Sequence, residues 1–256
     1  MSRRATSSAN GPAPPGRRAA APAPGALRTA PEAPEAPGAA CPGFLPAAPG
    51  ALHRWGRAGL LVARNRDVRR APPLSPAERC AAASLPAPRR AAWPAVLFLA
   101  RILVADALGV PAAEVEILTG EDGGPYALVG GGPAPGVHLS LGRAGGHLTA
   151  AIAPGPVGVD LRETSAAAAE HRPAGHALSA RERALAGADR PEALAAVRAL
   201  KEAAAKADRG AAPGAAPRPA AVLGLCPPVL AGRRSARVWR TGDAVVALVL
   251  AGPSGP

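Results

Sequence analysis

Val157-Gly158-Val159-Asp160-Leu161 is a short apolar run holding one glycine and one carboxylate, and some forty residues later Lys201-Glu202-Ala203-Ala204-Ala205-Lys206 sets two lysines and a glutamate close together. The first stretch reads as a strand and the second as part of a helix. That helix is expected from about Pro191, a favoured first-turn residue, to Ala207. On it Arg198, Glu202 and Lys206 recur at intervals of four, so they share one face with alternating charge. Lys201 falls instead on the apolar stripe of Leu194, Val197 and Ala204. A lysine in such a stripe needs an anion beside it or a stem that snorkels to water.

Working outward, Ser179-Ala180-Arg181-Glu182 forms a capping box that starts a short helix to about Ala186. A loop over 209–219 and strands near 221–225, 236–239 and 244–250 complete this half. Upstream, Gly59-Leu60-Leu61-Val62-Ala63 reads as a strand, and Ser75-Pro76 reads as an N-cap followed by a first-turn proline. A central helix is expected from about Trp93 to Leu108, closed by Gly109, with a strand at 115–118 after it. The Gly-rich stretch 120–136 reads as a turn-filled connection. Strands at 137–141 and 147–152 are expected to flank a turn at Gly142-Arg143-Ala144-Gly145-Gly146. Each half thus holds a few strands and one long helix, although no sequence repeat stands out between them. The expected fold class is α+β: two similar lobes, a pseudo-dimer over 56–155 and 156–252, with the active site between them. Residues 1–55 are read as a disordered Ala/Pro/Arg-rich tail with no apolar periodicity.

With only three Trp, one Tyr and two Phe in 256 residues, the core must be built from Ala, Val, Leu and Ile. Such side chains bury little area each, so limited stability is expected, at about 25 cal/mol per Å² of apolar surface. A formal net charge of +12 favours a polyanionic or acidic partner. Nucleic acid is disfavoured, because few aromatics interleave with the arginines. Cys41, Cys80 and Cys226 form no pair with ligand spacing, nor do the five histidines, so neither a disulfide framework nor a zinc site is indicated. Arg3-Arg4 lacks the apolar stretch of an export signal, and the apolar run 95–110 is broken by Arg101 and Asp106. A monomeric cytoplasmic protein with no membrane contact is expected.

The two opening stretches, in this order and with the capped segment Leu178-Ser179-Ala180-Arg181-Glu182 between them, resemble the signature of the 4′-phosphopantetheinyl transferase superfamily. In that family a strand ends in Gly-(Ile/Val)-Asp-x-Glu, and a later helix carries Trp-x-x-Lys-Glu-x-x-x-Lys. The surfactin-type, two-lobed members offer weaker echoes in Leu74-Ser75-Pro76-Ala77-Glu78-Arg79, in Arg89-Arg90 and in the helix around Arg101. The likeness covers roughly residues 59–250.

The resemblance implies a holo-[acyl-carrier-protein] synthase activity. Phosphopantetheine would pass from coenzyme A to a serine of an acyl, polyketide or peptidyl carrier protein. It implies Mg²⁺ held by Asp160 and Glu202, with Glu202 and Lys206 catalytic. It also implies coenzyme A contacts from Lys201, Arg143, Arg89, Arg90 and Arg79. Four positions depart from the pattern. Arg162 replaces the second carboxylate of the strand, and Gly142-Arg143-Ala144 replaces a Ser-His-Ser turn. Gly124 stands for the lysine of a Gly-Lys-Pro, and Arg198 for the helix tryptophan. Two alternatives therefore accompany this reading: a catalytically degenerate homologue that binds coenzyme A or a carrier protein, and a basic nucleic-acid-associated protein.

Overall fold

A computed structural model describes residues 44–68, 71–169, 178–187, 190–211 and 220–252. The expected tail over 1–43, most of the loop at 209–219, and His171 and His176 lie outside the described residues. The chain begins with β1 (Leu45–Pro46), β2 (Leu52–Trp55) and β3 (Ala58–Arg64), followed by α1 (Pro76–Ala83) and α2 (Ala87–Leu108). Then come β4 (Val115–Thr119), β5 (Pro125–Val129), β6 (Gly132–Pro133), β7 (His138–Ala144) and β8 (His147–Ala153). The remainder holds β9 (Val157–Glu163), α3 (Thr164–Ala169), α4 (Ala180–Ala186) and α5 (Pro191–Ala211). It closes with β10 (Val222–Leu225), β11 (Pro228–Leu230), β12 (Arg234–Thr241) and β13 (Ala244–Ala251). The architecture is mixed α+β with several sheets.

One four-stranded sheet runs β2-β3-β8-β7, and another runs β1-β12-β13-β9. Within them the order β3-β8-β7 matches the order β9-β13-β12, all antiparallel, and each terminal hairpin closes through two residues. Helix α2 packs its Leu97, Ala100, Leu103 and Val104 on the first sheet's core. Helix α5 lays Ala196, Ala199, Ala203 and Ala207, all fully buried, in the core shared with β13. By length and composition the segment Arg89–Leu108 is apolar enough to cross a membrane, with mean hydropathy 1.7. Here half of that window is buried inside the protein, and Arg101 is buried on a carboxylate partner.

Several elements differ from expectation. The stretch read as tail already holds β1, paired in parallel with Trp239 and Arg240, and β2, paired with β3. The connection over 120–136 contains β5 and β6, where Pro125 takes the first strand position that a proline tolerates. Helix α2 starts six residues before Trp93 and carries Pro94 inside it. A proline there removes one i→i−4 hydrogen bond, yet the helix continues through it. Strand β7 extends through Gly142-Arg143-Ala144, so the turn is Gly145-Gly146 alone.

A short repeat, missed in the sequence, surfaces in the packing. Leu74-Ser75-Pro76-Ala77-Glu78-Arg79 and Leu178-Ser179-Ala180-Arg181-Glu182-Arg183 share Leu-Ser-x-x-Glu-Arg, and each closes a full capping box. In each copy the arginine donates to the leucine carbonyl. In each copy the glutamate is buried, takes a backbone N–H from a later strand, and meets a cation from the long helix. Glu78 accepts from Ile117 N at 3.0 Å and pairs with Arg101. Glu182 accepts from Val222 N at 3.1 Å and from Lys201 Nζ at 2.9 and 2.8 Å.

Burial pushes the Glu182 carboxyl up, but hydrogen bonds from Lys201, Ser179 and Val222, with the Lys201 charge, outweigh it and hold the group below its ordinary value of 4.5. The folded chain therefore binds this proton less readily than the unfolded chain does. The resulting stability is present above about pH 4.5 and is lost as pH falls through the lower, folded value. Urea midpoints measured downward from about pH 6 should drop below about pH 4.5, and less steeply in Glu182→Gln. Equal slopes in the two proteins would contradict the assignment.

Candidate functional site

Strand β9 is squeezed between α5 and β7, and glycine is required on both sides. A Cβ on Gly158 would lie 1.8 Å from the Ala203 carbonyl oxygen of α5. A Cβ on Gly142 would lie 2.8 Å from Thr149 Cγ2 and 3.4 Å from the Asp160 Cα. The two strands come from different sheets and meet through polar contacts. Ser140 Oγ accepts from Val159 N at 2.9 Å in the interior. Lys206 Nζ, reaching over from α5, donates to Leu141 O at 3.0 Å on β7 and to Val159 O at 2.9 Å on β9.

The third ammonium bond goes to Asp160 Oδ1 at 2.8 Å. An ammonium carries three donors, so Lys206 is fully committed. It acts as a post that fixes the seam and aims the Asp160 carboxylate. The other oxygen, Oδ2, accepts from Arg162 Nε at 3.0 Å. Asp160 and Arg162 are two apart on β9 and share its face, as strand periodicity requires. Glu163, the intervening-face carboxylate, instead accepts from Gly146 N at 3.0 Å across the neighbouring turn.

Ser140, Leu141, Asp160, Arg162 and Lys206 line a cleft of about 850 Å³. Arg89, Arg143, Arg162, Lys206 and Arg209 supply its five cationic side chains. Against them stand three carboxylates, Asp122, Asp160 and Glu202, so the lining is net positive before any ligand arrives. Low-dielectric walls of one net sign concentrate anions.

Of the residues singled out in the sequence, Asp160, Glu202, Lys206, Arg89 and Arg143 converge on this cleft. Three do not line it. Lys201, expected at a phosphate, is buried on Glu182, so the anion that its apolar stripe called for is the protein's own. Arg79 is exposed and donates to Leu74 O at 2.6 Å, and Arg90 donates to Leu85 O at 3.0 Å. Arg209 was overlooked because the helix was expected to stop at Ala207. Its spacing of three from Lys206 and seven from Glu202 would have placed it on their face. Ser140, which ties β9 to β7, carried no signal in the sequence.

Magnesium does not fit the arrangement as it stands. Each oxygen of Asp160 already accepts from a cation, so a divalent ion seated there would sit against the positive charge of Lys206 and Arg162. The basic cleft suits an anionic phosphate ligand better than a bare divalent cation. No family model matches this chain, and no curated protein matches it.

Proposed function

We propose that this protein is a phosphopantetheinyl transferase of the two-lobed kind, with coenzyme A bound in the arginine-lined cleft between two similar α+β lobes. The repeated Leu-Ser-x-x-Glu-Arg segment, the two matching buried glutamate–cation pairs and the matching strand orders support the paired lobes. The single observation that carries the function is the meeting of Asp160, Lys206 and Glu202 with Arg89 and Arg143 in one basic cleft.

In this reading the diphosphate of coenzyme A lies against the arginines. The serine hydroxyl of a carrier protein attacks the phosphorus bearing the pantetheine arm. A serine O–P bond forms, the P–O bond of the diphosphate bridge breaks, and 3′,5′-adenosine bisphosphate leaves with the bridging oxygen. Glu202 takes the serine proton. Lys206 holds Asp160 and the seam in register, which makes it a positioning residue. Positioning and charge neutralisation account for most of the rate, as is usual in phosphoryl chemistry. The net positive surface suits an acidic carrier domain and speeds its approach.

The test is intact-protein mass spectrometry of apo carrier proteins from fatty-acid, polyketide and peptide synthesis, incubated with the full chain and coenzyme A. At least one carrier should gain a phosphopantetheine. Lys206→Met should slow loading by about tenfold to a hundredfold, the usual effect of a slightly misplaced reacting group. Coenzyme A binding with no loading of any carrier would select the second reading, a homologue that binds coenzyme A or a carrier without transfer. The observation favouring that reading is the Arg162 guanidinium on the Asp160 carboxylate.

A further inference from the structure

We infer that Arg162 is the resident cation of this cleft, and that the site takes a diphosphate directly on its guanidinium without a divalent metal. The inference rests on the transferase reading only for naming coenzyme A as the ligand that brings the diphosphate. The geometry forms a chain of alternating charge. Two backbone carbonyls, Leu141 O and Val159 O, hold Lys206, which holds Asp160 Oδ1, and Asp160 Oδ2 holds Arg162 Nε.

A strand ending in two carboxylates would end this chain in negative charge and call for a metal ion between protein and phosphate. Here the chain ends in a cation. Arg162 uses Nε on Asp160, which leaves the Nη pair for a ligand. A guanidinium bound to carboxylate on one edge can still present a planar fork to phosphate oxygens. Lys206 cannot play that part, since its three donors are spent. The exposures follow the same gradient. The Asp160 side chain is 8% exposed, that of Lys206 18% and that of Arg162 35%, so Arg162 is the member that meets solvent. Arg162 also lines a second, smaller hollow of about 260 Å³ together with Arg143 and Arg198. It therefore stands, with Arg143, as a wall shared by the two hollows.

Calorimetric titration of the full chain with sodium pyrophosphate, in EDTA and in excess Mg²⁺, tests this. Wild type should bind in EDTA within about threefold of its affinity in Mg²⁺, and Arg162→Gln should weaken binding in EDTA at least about tenfold. Arg162→Glu should bind weakly in EDTA and recover at least about tenfold on adding Mg²⁺, because the second strand carboxylate then exists. Arg162→Lys, which keeps charge but loses the fork, should fall between wild type and the glutamine variant, and it decides the matter if the glutamine variant misfolds. A wild type that gains tenfold or more from Mg²⁺, or substitutions that leave pyrophosphate affinity unchanged, would overturn the assignment. Coenzyme A titrated in the same two buffers separates the two readings. If it binds only with Mg²⁺, the Arg162 assignment falls and the transferase reading stands. If pyrophosphate binds without metal and coenzyme A does not bind at all, the transferase reading falls and the Arg162 assignment stands.

Discussion

Glu182→Ala should destabilise the protein by about 3–5 kcal/mol, the usual cost of leaving one member of a buried ion pair without its partner. Three groups lose their acceptor at once. The Lys201 ammonium stays in an apolar core, Val222 N loses its 3.1 Å bond, and Ser179 N loses the reciprocal half of its cap. Urea unfolding followed by circular dichroism measures it. The double variant Glu182→Met with Lys201→Leu should recover the part of the loss that comes from the stranded ammonium, since apolar residues can replace a buried pair at little net cost, while Val222 N and Ser179 N stay without their acceptor. If Glu182→Ala lowers stability by less than about 1 kcal/mol, as a solvent-exposed pair would, the pair is not the internal strut described above.

The second large effect is expected from Gly158→Ala. The added methyl meets the Ala203 carbonyl oxygen at 1.8 Å and the Ala207 nitrogen at 2.6 Å. Both are backbone atoms of a packed helix, so no flexible side chain can swing away. Helix and strand must separate, and overpacking of this kind costs about 3 kcal/mol, the upper part of the ordinary range. Gly59 offers the internal control. It lies under α2 at a like place in the other sheet, but its nearest neighbour is the Ile152 Cγ2 at 3.1 Å, a side-chain methyl that can shift a few tenths of an ångström. Gly59→Ala should cost about 1 kcal/mol, the lower end of that range. Equal losses at the two glycines would mean that α5 does not sit as low on its strand as described.

Local signals were legible where residue chemistry and period agree. The capping box at Ser179 and the N-cap serine at Ser75 were visible in the sequence, because such caps act within one turn, whereas the return bond of Glu78 that completes a box at Ser75 was not read. The β9 and α5 assignments followed from a short apolar run and from the four-residue spacing of Arg198, Glu202 and Lys206. What stayed hidden depended on distant partners. Lys201 carried a correct local warning, a cation on an apolar stripe, but nothing nearby says whether its anion is a ligand or Glu182. The six-residue repeat escaped notice because the surrounding helices share little sequence and differ in the cation they supply, Arg101 in one and Lys201 in the other. Pro94 inside α2 and the strands within 120–136 were obscured by residues that ordinarily break structure. The departures at Arg162 and Arg143 were readable as substitutions, whereas the bond between Arg162 and Asp160 needed the register of β9 and the rotamers around it.

The alanine face of α5 bears on a composition that promised a weak interior. Alanine offers little bulk to fill the space between a helix and a sheet, and a chain poor in aromatics would be expected to leave gaps there. Pairing alanine on the helix with glycine on the strand removes the gap by bringing the two backbones together, so density comes from nearness rather than from large side chains. Interlayer distance then becomes the quantity that sets the packing. The height of α5 above β9 sets how far the Lys206 stem must extend to reach Leu141, so a methyl added in that contact would alter the reach of the ammonium before it altered the other residues of the cleft.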